Sequence, residues 1–196
     1  MNRREFLQWS GSIGIAALAA RPLAVAAAAQ STAPLTLDAE QWRSVAAIGE
    51  QIIPSVDGIG ASAANCANFV DKLLGHEEHR SLPLYRQGLA AIDTYTQQRW
   101  QKNFADLTAA NQITCLENLE DGAIPHWPAT AIGQNALFGM LRFHTILGFL
   151  AAPKFGGNVD FAGWRALNFP GHLHEMGGIS DRQVSGEVPI QPSWHH

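Results

Sequence analysis

The chain has 196 residues, 46% of them hydrophobic, and a formal net charge of −4 from 13 Lys and Arg against 17 Asp and Glu. That acidic balance argues against nucleic acid as a partner and against adsorption to an anionic membrane surface. Two cysteines are too few for an iron–sulfur cluster, while a chain of this length buries roughly 70% of its unfolded surface, enough for one real core.

Asn2-Arg3-Arg4-Glu5-Phe6-Leu7-Gln8 leads into a mildly apolar stretch from Trp9 to Ala20, then Arg21-Pro22 and the alanine run Ala24–Ala29. The stretch is too short and too weakly apolar to span about 30 Å of hydrocarbon. The pattern resembles a twin-arginine export signal, with Arg3, Arg4, Phe6 and Leu7 as its recognition residues and Ala-x-Ala cleavage options. Residues 1–29 are therefore expected to be a signal peptide, read by the twin-arginine translocase and delivering the product to the periplasm. An amphipathic N-terminal helix or a membrane anchor is the alternative. Because residues 1–29 hold Arg3, Arg4 and Arg21 against Glu5, the remainder would carry about −6.

Beyond the leader, helical spacing dominates and no alternating strand pattern stands out. Asp38 is a good N-cap for a first helix running to Ile53, with Trp42, Val45, Ala46, Gly49, Ile52 and Ile53 on one stripe and Pro54 as the stop. Asp57-Gly58 marks a turn. Ser62 is expected to cap a second helix that turns Cys66, Phe69, Val70, Leu73 and Leu74 inward and ends at Gly75. His76-Glu77-Glu78-His79-Arg80 reads as an exposed connection. Pro83 suits the first turn of a third helix carrying Tyr85, Leu89, Ile92, Tyr95 and Trp100. Thr108 should cap a fourth, with Ile113, Leu116 and Leu119 inside and Gly122 closing it. Pro125 and Pro128 enforce a loop. The fifth and most apolar helix spans Thr130 to Phe149, and Pro153 marks its end.

These elements predict an all-α fold, a compact bundle of about five helices over residues 30–153. Residues 154–196 form an irregular, extended C-terminal segment, too long for an ordinary connection. Cys66 and Cys115 fall on apolar helix faces and read as buried thiols, since a chain that folds before export cannot rely on a disulfide. A bridge between them is the other reading.

The search for chemistry is mostly negative. There is no Cys-x-x-Cys-His, no dinucleotide fingerprint after a strand, no Gly-x-Ser-x-Gly and no P-loop. Among eight histidines, His76 and His79 share a helical spacing but sit among charges, His172 and His174 form a lone pair, and His195 and His196 are terminal. No Glu-x-x-His occurs, so no metal site is expected. His144 is the histidine of interest, placed inside the apolar fifth helix. A core or interface histidine bonding a backbone carbonyl is the favoured reading, and a general base needs partners that the sequence does not display.

The most specific stretch is Lys154-Phe155-Gly156-Gly157-Asn158-Val159-Asp160-Phe161-Ala162-Gly163-Trp164, followed by Phe169-Pro170-Gly171. It resembles the C-terminal signature of the gluconate 2-dehydrogenase subunit 3 family. Arg142 to Phe149 looks like that family's preceding helix, and Ile52-Ile53-Pro54 with Asp57, Gly58, Gly60, Ala61 and Phe69-Val70-Asp71 matches its N-terminal pattern. In physical terms the glycines permit close backbone approach, Asn158 tolerates the left-handed region, Asp160 can bond turn amides, and the aromatics pin the segment. Phe155, Gly156, Gly157, Asn158, Asp160, Gly163, Trp164, Phe169, Pro170 and Gly171 are accordingly the expected partner-binding residues; a loop that merely closes the bundle is the plainer reading.

The resemblance implies a small, non-catalytic accessory subunit of a periplasmic sugar or sugar-acid dehydrogenase, such as a gluconate 2-dehydrogenase or glucoside 3-dehydrogenase. Its large partner, of the glucose–methanol–choline oxidoreductase type, would hold FAD, and a cytochrome c subunit would hold haem where present. This chain would carry no cofactor itself, and would assist folding, stability and export of the flavoprotein. The rival from another class is a stand-alone exported helical protein that binds a small ligand or a metal through His144 or the His172/His174 pair.

Overall fold

A computed structural model describes residues 34–171 and 180–190; Arg3, Arg4, Phe6 and Leu7, expected to belong to an export signal, and the His172/His174 pair lie outside them. Five long helices carry the architecture: α1 Ala39–Ile52, α2 Cys66–Gly75, α3 Leu82–Trp100, α4 Ala109–Glu120 and α5 Gln134–Leu150. Two short ones follow, α6 Ala162–Ala166 and α7 Asp181–Val184. No strand occurs among the described residues beyond a single antiparallel bridge between Val56 and Ile59. The fold is therefore all-α, as the spacing predicts.

Local chemistry explains where the helices start. Asp38 and Gln41 form a reciprocal capping box at the head of α1, each side chain bonding the other's backbone N–H at 2.8 and 3.2 Å, an arrangement worth about 1 kcal/mol. Thr108 caps α4 through the Asn111 amide, and Gly122, at φ +71°, closes its end. Pro83 occupies the first turn of α3, where its missing N–H has no helical acceptor to lose.

Three boundaries differ from the sequence expectation. Ser62 does not cap α2, because its hydroxyl bonds Glu50 on α1 at 2.5 Å. The helix begins at Cys66 instead, entered from Asn65 in the left-handed region at φ +56°. Helix α5 begins at Gln134 rather than Thr130. Its start is set by neighbours in the preceding loop: Gln134 bonds both the N–H and the carbonyl of Ile124, at 2.8 and 2.9 Å, and Trp127 Nε1 donates to the Ile132 carbonyl at 2.8 Å. Finally, the segment after Pro153 is not wholly irregular, since α6 and α7 interrupt it.

Helix α5 is the hub. It packs against α1, α2, α3, α4 and α6, and Leu137 and Leu141 enter a core with Ile48, Val70, Leu74, Leu89, Ile92 and Leu119. Close approach is built in at Gly88 of α3, where a Cβ would lie 2.6 Å from the Leu137 side chain. Ile113, expected inside, is 45% exposed. A smaller cluster of Ala61, Ala64, Cys66, Phe149 and Ala162 joins the end of α5 to α6. Cys66 and Cys115 are both free and buried, and burial pushes each thiol up to about 12, away from thiolate chemistry.

A charged residue supplies one further tie. Asp71, buried on α2, accepts the backbone N–H groups of Leu35, Thr36 and Leu37 at 2.7, 3.1 and 2.7 Å. Arg86 adds a bond to the Thr36 carbonyl at 2.9 Å. The chain entering α1 is thus held by one carboxylate and one guanidinium.

Candidate functional site

The last carbonyls of any α-helix lack intrahelical donors. At the end of α5 they are taken up by residues from the segment that follows. Asn158, fully buried at φ +47°, donates from Nδ2 to the Ala151 carbonyl at 2.9 Å, and its Oδ1 accepts the Gly163 N–H at 2.8 Å. Trp164 Nε1 donates to the Leu150 carbonyl at 2.7 Å. From the other side, Asn68 of α2 donates to the Gly156 carbonyl at 2.7 Å, and the Val159 N–H reaches the Ala64 carbonyl at 3.3 Å. The segment is a clasp that folds back onto α5 and α2.

Its glycines serve that approach. A Cβ at Gly163 would collide with the Phe149 carbonyl oxygen, and one at Gly157 with the Gly148 carbonyl oxygen. Both neighbours are helix backbone and cannot rotate away. Phe161 adopts φ +57°, a conformation that disfavours a bulky side chain by roughly 1–2 kcal/mol. It is retained between the Asn158 anchor and the Trp164 ring, whose centroid lies 5.4 Å away. Trp164 also meets Phe169 edge to face at 5.1 Å.

The ten expected contact residues therefore separate into two groups. Gly157, Asn158, Gly163, Trp164, Pro170 and Gly171 are buried, whereas Phe155 is 50% and Phe169 40% exposed. Gly156 is half-buried at φ +95°. Asp160 is exposed at φ +52°, and the Gly163 N–H of this turn is bonded by Asn158.

The outward face of α5 extends the exposed group. Phe143 is 60% and Ile146 41% exposed, with Gly139, Met140, Leu147 and Leu150 half-buried on the same side. At spacings of three and four these residues form one row along the helix. An apolar row on a helix whose opposite face already fills the core is a candidate contact surface.

His144 sits one residue from that row but points inward, 5% exposed. Its Nδ1 lies 2.9 Å from the Tyr85 hydroxyl, with the two rings parallel to within 2° and 5.7 Å between centroids. The expected backbone carbonyl is thus replaced by a phenol. Burial holds the imidazole below the usual histidine range, with Glu78 opposing, and burial raises the Tyr85 phenol. Both groups are neutral near pH 7, and the imidazole tautomer sets the direction of the bond: Tyr85 donates when His144 carries its proton on Nε2 and accepts when the proton is on Nδ1. Sequence spacing did not reveal this pair, nor the Asp71 anchor, although a carboxylate between Val70 and Leu74 on an apolar stripe was the signal for the latter.

No group of three or more His, Cys, Asp or Glu side chains is placed to hold a metal ion among the described residues. No described helix is long and apolar enough to cross a membrane. Comparison with known proteins returned no curated protein and no solved structure that matches. A protein-family model does match, the gluconate 2-dehydrogenase subunit 3 model, over residues 39–171. That range runs from the first residue of α1 to the last glycine of the clasp and covers more than half of the 196 residues, so the chain belongs to the gluconate 2-dehydrogenase subunit 3 family.

Proposed function

We propose that this chain is the small, non-catalytic subunit of a periplasmic, FAD-dependent sugar or sugar-acid dehydrogenase of the glucose–methanol–choline type. It docks on the flavoprotein, stabilises it and supplies its export address. The family establishes the coarser part, an accessory subunit of a dehydrogenase complex. The observation that carries the docking role is the apolar row Phe143, Ile146 and Leu147 on the outward face of α5, continued by Phe155. An obligate contact of this kind covers on the order of 2,000 Å² or more, and its apolar centre needs residues of this type.

FAD belongs to the large subunit in this reading, and haem to a cytochrome c subunit where one is present. Export follows from Arg3 and Arg4: the two proteins assemble first, and the leader of this chain takes both across. The test is to express the large subunit with the wild-type chain, without it, and with Arg3→Lys and Arg4→Lys together. Periplasmic dehydrogenase activity is expected only with the wild-type chain. Equal periplasmic activity in all three would contradict the export role.

A further inference from the structure

The arm that leads into α1 is tied to the body by a buried charge, whereas the end segments of most domains fray. Asp71, 1% exposed on α2, gives both carboxylate oxygens to main-chain donors. Its Oδ2 accepts the Leu35 N–H at 2.7 Å, and its Oδ1 accepts those of Thr36 and Leu37 at 3.1 and 2.7 Å. Arg86 of α3 donates to the Thr36 carbonyl at 2.9 Å. Leu37 enters the core, and a Cβ at Gly75, the last residue of α2, would lie 2.5 Å from the Thr36 hydroxyl oxygen. Pro34, just ahead, has no N–H, so among the described residues the run of bonded donors starts at Leu35.

Such an arm does not lift one residue at a time. Three consecutive N–H groups share one carboxylate, and raising them strands a charge that is closed off from water. The Leu35 side chain is 71% exposed, yet its backbone N–H is held at the same 2.7 Å as that of buried Leu37. A peptidase needs a stretch of backbone that is free to enter its cleft, and in a folded region only local opening supplies one. The tie therefore guards the main chain rather than the side chains.

We infer that Asp71 and Arg86 set the limit of proteolytic processing of this chain: a peptidase hydrolyses a bond ahead of Leu35, while the bonds from Leu35 into the first turn of α1 are protected. Water adds across the cut bond, leaving a carboxylate on the released piece and an amine on the retained body. The limit holds for any peptidase. That the released piece is an export leader rests on the export role proposed above.

The full chain is treated with a trace of a non-specific protease, and new N-termini are followed over time by mass spectrometry. From wild type, N-termini near the start of the chain are expected at or before Leu35. Asp71→Asn keeps the size of the side chain but turns one acceptor into a donor, and should speed cleavage between residues 35 and 41 about tenfold or more. Arg86→Gln should speed it less, and it carries the comparison if the first variant fails to fold. Asn158→Ala, which loosens the segment after α5 instead, should leave that rate close to wild type. Equal acceleration in the Asp71 and Asn158 variants would mean that the arm opens only with the whole fold, and would overturn the assignment. Ready cleavage beyond Leu35 in wild type, or wild-type rates in both the Asp71 and Arg86 variants, would overturn it as well. A chain kept in the cytoplasm with residues 1–29 intact would fail the export role alone, since the protease series reads the limit by itself.

Discussion

Two faces of one helix end do different work. On the inward side, Asn158, Gly163 and Trp164 close the carbonyl end of α5 with bonds of 2.7 to 2.9 Å and no room to spare. On the outward side, Phe143, Ile146 and Phe155 are between 41% and 60% exposed and contribute little to the core. The contrast teaches that a segment rich in glycine and aromatics is not thereby a contact surface. Most of its specific residues are spent holding it in place, and the large apolar side chains that stay exposed are Phe155 and Phe169 of the segment together with Phe143 and Ile146 on the helix beside it.

That division can be tested by treating the two faces separately. The largest effect should come from Gly163→Ala, because the added methyl meets a helix carbonyl that cannot move; about 4 kcal/mol of stability should be lost, read by chemical denaturation. Asn158→Ala should follow at about 3 kcal/mol, since it strands a buried carbonyl and a buried N–H at once. Asp71→Ala, which frees three backbone amides near the start of α1, should lose about 2 kcal/mol, less because Leu35 and Thr36 can recover water. Each of these should weaken the complex only in proportion to the loss of folded chain.

A smaller effect separates the interior further. Because burial lowers the His144 pKa in the folded state, the unfolded chain binds the proton more readily. Its contribution to stability is therefore fully present above the unfolded value of about 6.5 and is lost as pH falls below it. Wild type should lose melting temperature between pH 7 and pH 5 more steeply than His144→Gln. Parallel pH profiles would mean that the Tyr85–His144 pair is not held neutral by the fold.

How much of this was legible beforehand follows the same division. Apolar periodicity located all five long helices, and the caps Asp38 and Thr108 were readable because both act within three residues of themselves. Ser62 misled because its competitor, Glu50, is twelve positions away and only becomes a neighbour after α1 and α2 pack. The segment from Phe155 to Gly171 was recognisable as special, yet which of its side chains turn inward was not. Asn158 and Asp160 have similar turn chemistry, and only contact with the α5 terminus distinguishes the anchor from its exposed neighbour. Tyr85 and His144 lie 59 positions apart, beyond the reach of any local pattern.

The decisive measurement is the affinity of the dehydrogenase subunit for the chain carrying Phe143→Asp and Ile146→Asp, taken together with the melting temperature of the free chain. The account predicts a melting temperature close to wild type and binding weakened by about a hundredfold or more. Wild-type affinity in a well-folded double variant would contradict it, because the outward row of α5 would then not be the surface that the partner covers.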